Sequence, residues 1–362
     1  MKVIRFETYR FELPLSEPLV VGMYRLTRRE GRIVELGTDT GGCALGEISP
    51  LPGVNEEDME QVTGEIARFR SAVMEREIPH DLDGLSGAFE QWLTPFDLAP
   101  SVRFGIETAV LGLIAGESSR PLCALISDRP RADIAINALL TGGYEQVLWK
   151  AERLREQGYR AFKLKVGKRF LEEDIRLAVA VKEVLGDGTL LRLDANRAWN
   201  LDQAIAAANA LSGIDIDYIE EPVHTEAMLK ELASRPDMTM PLALDETLAG
   251  MEPEELSFPP NVGALVLKPT VLGLERTVRL ARRAAGQGIK AVISSSFESG
   301  FGLQVLSHLA ASLNETDIPA GLGTASWFEA DLPVNPLTVR RGRLSVIPLP
   351  QTCRHLKSSL LK

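Results

Sequence analysis

Residues 161–167 read AFKLKVG, an apolar run interrupted at every second place by a lysine. Successive side chains of a β-strand point to opposite faces, so Lys163 and Lys165 share one face while Phe162, Leu164 and Val166 share the other. Two ammonium groups on one face of a strand otherwise suited to burial indicate an enclosed polar centre. Four further short apolar runs also end in charge: LRLDAN (191–196) at Asp194, YIEEP (218–222) at Glu220, LALDE (242–246) at Asp245 and LVLKP (265–269) at Lys268. The three carboxylates follow one another at intervals of 26 and 25 residues, the length of one strand plus one helix.

These runs belong to a longer series. IAINALL, AFKLKV, TLLRLD, IDYIEE, PLALDE, ALVLKP, KAVISS and a weak last one at IPAGLG alternate with amphipathic stretches such as YEQVLWKAERLREQG and EEDIRLAVAVKEVLG. Eight strands separated by helices predict a (β/α)8-type barrel, a modified TIM barrel, over residues 101–325. An open doubly wound sheet is the alternative. The first strand is not followed by GxGxxG, and charge recurs at strand ends all the way round, which favours the barrel.

The first 100 residues read differently. Alternation at Val3, Ile4, Phe6, Tyr9 and Phe11 and again over Arg32 to Leu36, bounded by Pro14, Pro18 and Gly41-Gly42, predicts antiparallel strands. Residues 55–76 carry Met59, Val62, Ile66, Phe69 and Val73 at helical spacing, with Asn55 as the expected N-cap. Strands followed by helices make residues 1–100 an α+β capping domain. The segment 326–362 is too short for a domain and is expected to pack back on the cap.

The chain has 362 residues and a formal net charge of -10, which disfavours nucleic acid and anionic membranes as partners. No apolar run approaches the roughly 18 residues of a membrane span, and the alternating start MKVIRFETYRFELPL lacks the apolar core of a leader. Cys43, Cys123 and Cys353 are odd in number and widely spaced, indicating neither a disulfide framework nor a zinc knuckle. A soluble protein of the reducing cytoplasm is expected.

In such a barrel the active site lies at the C-terminal ends of the strands. Asp194, Glu220 and Asp245 on successive strands repel one another unless a cation gathers them, and an all-oxygen set suits Mg²⁺ better than zinc. Lys165 and Lys268 lie on opposite sides of that set. A lysine near its usual pKa of about 10.4 is a poor base at neutral pH. A neighbouring ammonium, a metal and partial burial all disfavour its charged form. The parts suit removal of a proton next to a carboxylate, with the oxyanion stabilised electrostatically. Loss of a leaving group then gives elimination, and return of the proton to the other face gives epimerisation.

Taken together, ALGEISPLPG (44–53), PSVRFGIETAVL (100–111), GYRAFKLKVG, LRLDANRAW, IEEP, LALDE, LVLKP and SSSFESGFGL (294–303) resemble the o-succinylbenzoate synthase family of the enolase superfamily. A lysine base with Mg²⁺ is a known pairing for that superfamily. The resemblance implies Lys165 as general base, Lys268 opposite it as a charged stabiliser, and Asp194, Glu220 and Asp245 as Mg²⁺ ligands. It implies a small-molecule carboxylate substrate, 2-succinyl-6-hydroxy-2,4-cyclohexadiene-1-carboxylate, dehydrated to o-succinylbenzoate in menaquinone biosynthesis.

Ser295 and Ser296 are candidates to hold the succinyl tail through hydroxyl and backbone N–H groups. Lys163 and Arg192 are further substrate-binding candidates, Arg192 by positioning Lys163 or a bridging water, with a plain ion pair as the alternative. Glu221 and Glu246 are expected to point away from the site, and the loop around Gly22 is a candidate lid. The rivals are an N-acylamino acid racemase or dipeptide epimerase on the same scaffold, and a non-catalytic relative. AGLGTASWF lacks the DxD expected of a dipeptide epimerase, and no lysine or ligand is missing.

Overall fold

The computed structural model describes residues 1–251, 253, 257–313 and 316–362. The chain opens with an antiparallel sheet of β1 (Val3–Val21), β2 (Tyr24–Thr38) and β3 (Cys43–Ile48), in that order. Phe6, Phe11, Leu13 and Ile33 of these strands are buried. Pro14 and Pro18 do not end the first strand as expected but lie within it. β1 is an edge strand, where a missing N–H costs no ladder bond, and its pairing with β2 shifts register between Pro14 and Leu19.

Four helices follow: α1 (Met59–Val73), α2 (Ala88–Leu93), α3 (Pro100–Glu117) and α4 (Leu122–Ile126). In α1 the buried stripe is Val62, Ile66, Phe69 and Val73. Its N-cap is Asp58, which accepts from Glu60 N and Gln61 N at 2.9 and 2.8 Å. Asn55 is committed elsewhere, accepting from Leu51 N at 3.0 Å and donating to the Thr270 carbonyl at 3.1 Å. Helix α3 lies past residue 100 but packs on the cap's sheet. A Cβ at Gly46 would stand 1.8 Å from the Gly105 carbonyl oxygen, and one at Gly105 would stand 2.3 Å from Ile48 Cγ1, so glycines on both sides set the approach.

The short strand β4 (Asp133–Ala135) leads into the alternating unit: β5 (Asn137–Leu140), α5 (Tyr144–Glu156), β6 (Ala161–Lys165), α6 (Leu171–Leu185), β7 (Leu190–Asp194), α7 (Leu201–Ala210), β8 (Ile216–Glu220), α8 (Glu226–Ser234), β9 (Leu242–Leu244), β10 (Val262–Leu267), α9 (Pro269–Leu272), α10 (Leu274–Ala285), β11 (Lys290–Ile293) and α11 (Gly300–Leu313). The seven strands β5 to β11 form one parallel sheet in sequence order.

The eighth strand is reduced to two residues, because Pro319, Gly321 and Gly323 give it little strand propensity. Ala320 bridges Ile136 and Gly321 bridges Ser294, and Gly321 N donates to the Ile293 carbonyl at 2.8 Å. The sheet thereby curls shut as a modified TIM barrel. Finally, β12 (Val339–Arg340) pairs with β13 (Arg343–Ser345), which pairs with β4. The chain end returns to the cap, where Arg10 and Lys362 exchange backbone hydrogen bonds of 2.9 and 2.8 Å. Among the described residues no helix is long and apolar enough to cross a membrane.

Candidate active site

Strand register brings the charged residues together. Lys165 pairs with Asp194 and Asp194 with Glu220, so all three lie abreast on β6, β7 and β8. Asp245 follows the last residue of β9, and Lys268 follows the last residue of β10. Phe162 and Leu164 are fully buried on the other face of β6, and the lysine side chains reach the mouth with 12% exposure for Lys163 and 28% for Lys165.

The ammonium groups and carboxylates interlock. Asp194 Oδ2 accepts from Lys163 Nζ at 2.8 Å and from Lys165 Nζ at 2.6 Å. Lys163 also reaches Glu220 Oε1 at 2.7 Å, and Lys268 Nζ reaches Asp245 Oδ2 at 2.5 Å. Burial opposes the charge on Lys163, but Asp194 and Glu220 outweigh it and hold its pKa well above the ordinary lysine value. Lys268 behaves alike: burial lowers it, while Asp245 and Glu246 raise it further. Glu220 is pushed well up by burial and by the neighbouring carboxylate of Asp194.

Glu220 Oε2 is buried without a hydrogen-bond partner. A cation beside that oxygen would supply the missing partner and favour the charged carboxylate, and carboxylates alone make a hard donor set. Among the described residues no three His, Cys, Asp or Glu converge closely enough to hold one ion as they stand. The geometry gives the reason: Lys163 and Lys165 both draw Asp194, and Lys268 draws Asp245. Gathering the three carboxylates around an ion therefore takes rotation of side chains, not of strands.

The loops that follow the strands brace this row. Asn196, with φ +44, places its Oδ1 2.7 Å from Lys165 Nζ. Glu221 accepts from Asp245 N and Thr247 N at 2.9 Å each, from Thr247 Oγ1 at 3.0 Å and from Arg197 Nε at 3.0 Å. It points away from the carboxylate row and fixes the turn that carries Asp245. Glu246 does not point away as expected. Strand alternation stops at Leu244, and beyond it Glu246 turns beside Lys268, with Oε2 buried and unpartnered. Sequence reading missed Asn196; its signal is the polar residue two places after Asp194 in the same turn.

Arg192 is fully buried below the mouth. Its Nε donates to Asp217 at 2.9 Å, and its Nη1 donates to the Pro319 carbonyl at 2.8 Å and to Asn137 Oδ1 at 3.1 Å. It forms the plain ion pair, and its Nη2 is buried without a hydrogen-bond partner. Asp217 reaches it because the β7–β8 ladder skips one residue between Leu191 and Arg192. The backbone N–H groups proposed to hold the substrate tail are already used: Ser295 N donates to the Gly321 carbonyl at 3.1 Å and Ser296 N to Glu298 at 2.7 Å. Ser295 Oγ pairs with Thr324 Oγ1 at 2.9 Å, whereas Ser296 Oγ is buried without a partner.

The model of the family described as Enolase C-terminal domain-like matches residues 146–350, and that of the MenC N-terminal domain matches residues 3–113. The chain is 31% identical over 349 residues to o-succinylbenzoate synthase of Haemophilus influenzae, spanning 91% of this chain and 95% of that protein. It is 30% identical over 379 residues to the chloroplastic protein PHYLLO of Arabidopsis thaliana, covering 94% of this chain but only 22% of PHYLLO's length. The solved dipeptide epimerase of Enterococcus faecalis V583, complexed with Mg and the dipeptide L-Leu-L-Tyr, superposes with a TM-score of 0.84 at 22% identity, covering 97% of this chain and 99% of that one. This last likeness is one of fold. The chain belongs to the o-succinylbenzoate synthase family of the enolase superfamily.

Proposed function

We propose that the protein is an o-succinylbenzoate synthase, a hydro-lyase that dehydrates 2-succinyl-6-hydroxy-2,4-cyclohexadiene-1-carboxylate to o-succinylbenzoate in menaquinone biosynthesis. The observation that carries the reading is the placement of Lys165 and Lys268 on either side of a carboxylate row, in a chain whose cap matches the MenC N-terminal domain. Asp194, Glu220 and Asp245 would hold Mg²⁺, which when bound supplies electrostatic stabilisation of the substrate carboxylate as negative charge develops on it.

The remaining roles fall to this chain's side chains. Lys165 Nζ, as a free amine, takes the proton from the carbon next to the carboxylate. The C–H electron pair becomes a ring double bond as the C–O bond at the hydroxylated carbon breaks. The same Nζ returns the proton to the departing hydroxide, so water leaves and the ring becomes aromatic. Lys268 stays charged, held so by Asp245 and Glu246, and faces the ring as a cation. Lys163 bridges Asp194 and Glu220 and offsets their negative charge.

The rival reading is an epimerase or racemase, because the solved neighbours of this fold include dipeptide epimerases and inversion at a carbon next to a carbonyl also begins with proton removal. Against a dipeptide substrate, Ala320–Thr324 carries no acidic side chain to meet an ammonium. The deciding experiment assays purified protein on the cyclohexadiene carboxylate and on N-succinylamino acids, with Mg²⁺ and with excess chelator. The proposal expects dehydration to dominate and to vanish with chelator. Efficient racemisation without dehydration, or dehydration that survives chelation, contradicts it.

A further inference from the structure

We infer that Arg29 of β2 is a positioning residue that ties the seating of the cap to the barrel loop bearing Ser295, Ser296 and Phe297. The inference rests on the proposed dehydratase reading for its kinetic consequence alone. Arg29 is 2% exposed and lies where the cap meets the barrel mouth. A guanidinium taken out of water is tolerated only when its donors are satisfied, and here they go to backbone carbonyls of two loops. Nη2 donates to Ser49 at 2.7 Å and Nη1 to Pro50 at 2.9 Å, both in the cap. Nε donates to Phe297 at 3.1 Å and Nη2 to Ser296 at 3.5 Å, both in the loop after β11. Burial pulls its pKa down to about 10, which leaves it charged at neutral pH.

The loop it grips is strained and adjoins the site. Phe297 sits at φ +59, a left-handed conformation that is strained for a non-glycine residue and persists only where its surroundings enforce it. Two contacts enforce it: the carbonyl bond to Arg29, and the edge-on contact of its ring with Trp327, with centroids 5.3 Å apart at 87°. The next residue, Glu298, accepts from Ser296 N at 2.7 Å and from Thr270 Oγ1 at 2.5 Å, and Thr270 lies two places after Lys268. The cap reaches the same point through Asn55 Nδ2, 3.1 Å from the Thr270 carbonyl. Seating the cap therefore sets both the loop that carries the unpartnered Ser296 hydroxyl and the segment after Lys268. Only a planar fork of donors spans two loops at once; a lysine has one nitrogen to offer.

Arg29→Lys and Arg29→Met are compared with the wild type by amide hydrogen exchange and by steady-state kinetics on the cyclohexadiene carboxylate. The reporters are the Ser296, Ser299 and Gly302 amides, bonded to Glu298, Glu47 and Glu47 respectively. Both variants are expected to speed exchange at these amides about tenfold or more while β6 and β7 exchange as before. KM should rise about tenfold with kcat within about threefold, the mark of binding lost equally from the ground state and the transition state. If Arg29→Met does not fold, Arg29→Lys carries the test. Three results overturn the inference: loop exchange unchanged in Arg29→Lys, loop exchange faster with KM unchanged, or exchange faster throughout the barrel. If the wild type does not dehydrate the substrate, the functional proposal fails, and the loop exchange still decides whether Arg29 holds this loop.

Discussion

Glu221→Gln tests whether the turn bearing Asp245 is held from outside the carboxylate row. Glu221 Oε1 takes two backbone N–H groups, and Oε2 takes Thr247 Oγ1 and Arg197 Nε. A glutamine has one acceptor oxygen, so either the two backbone donors or the Arg197–Thr247 pair meets an amide NH2. With the oxygen left on the backbone pair, the Thr247 hydroxyl can rotate to accept, and the lost interaction is the charge-assisted bond to Arg197. Hydrogen bonds to charged groups contribute about 1.5–3 kcal/mol. Arg197 keeps Thr247 Oγ1 at 2.9 Å and its side chain is 35% exposed, which places the expected loss near the lower end, about 2 kcal/mol. The functional effect is larger than the stability effect, because substitution of a residue that supports a metal ligand typically costs about 10–100-fold in metal affinity. Chemical denaturation measures the first and calorimetric titration with Mg²⁺ the second. Unchanged Mg²⁺ affinity in a variant destabilised by about 2 kcal/mol would refute the idea that Glu221 acts through Asp245.

Two further outcomes are expected. Lys268→Arg keeps the charge but brings a wider, planar group to a pocket lined by Asp245, Glu246 and Val266; kcat should fall at least about tenfold with thermal stability little changed, and a wild-type kcat would make Lys268 peripheral. Burial pushes the Glu298 carboxyl from its ordinary 4.5 up to about 7, so the folded state holds this proton more tightly than the unfolded chain. The resulting stability is whole below about pH 4.5, is lost as pH rises through about 7, and amounts to about 3 kcal/mol at most. Denaturation of Glu298→Gln from about pH 5 to 8 should show a shallower decline than the wild type, and identical pH slopes would remove Glu298 from the account.

The period of two in AFKLKVG was enough to turn both lysines into the barrel, since the strand there is regular and its alternate residues are buried against helices. Spacing of one β/α unit placed the three carboxylates on neighbouring strands, and the barrel's own register then set Lys165, Asp194 and Glu220 abreast. The rule failed where the strand stopped: β9 ends at Leu244, so alternation gave the wrong direction for Glu246. Parity also placed Arg192 on the inner face without giving its depth. One layer below the mouth it meets Asp217, brought into reach by a register shift that no local pattern announces. Arg29 was illegible for a different reason, because its partners are backbone carbonyls about 20 and 270 residues away, and carbonyls leave no mark in a sequence.

The reaction as proposed begins with removal of a proton by Lys165 Nζ. The most direct test of that step is the turnover of the cyclohexadiene carboxylate by Lys165→Ala, with circular dichroism and Mg²⁺ titration run on the same sample. A fall of at least about 10³-fold in kcat is expected, with the fold intact and Mg²⁺ still bound. A folded, metal-binding Lys165→Ala protein that keeps a substantial fraction of wild-type turnover would contradict it.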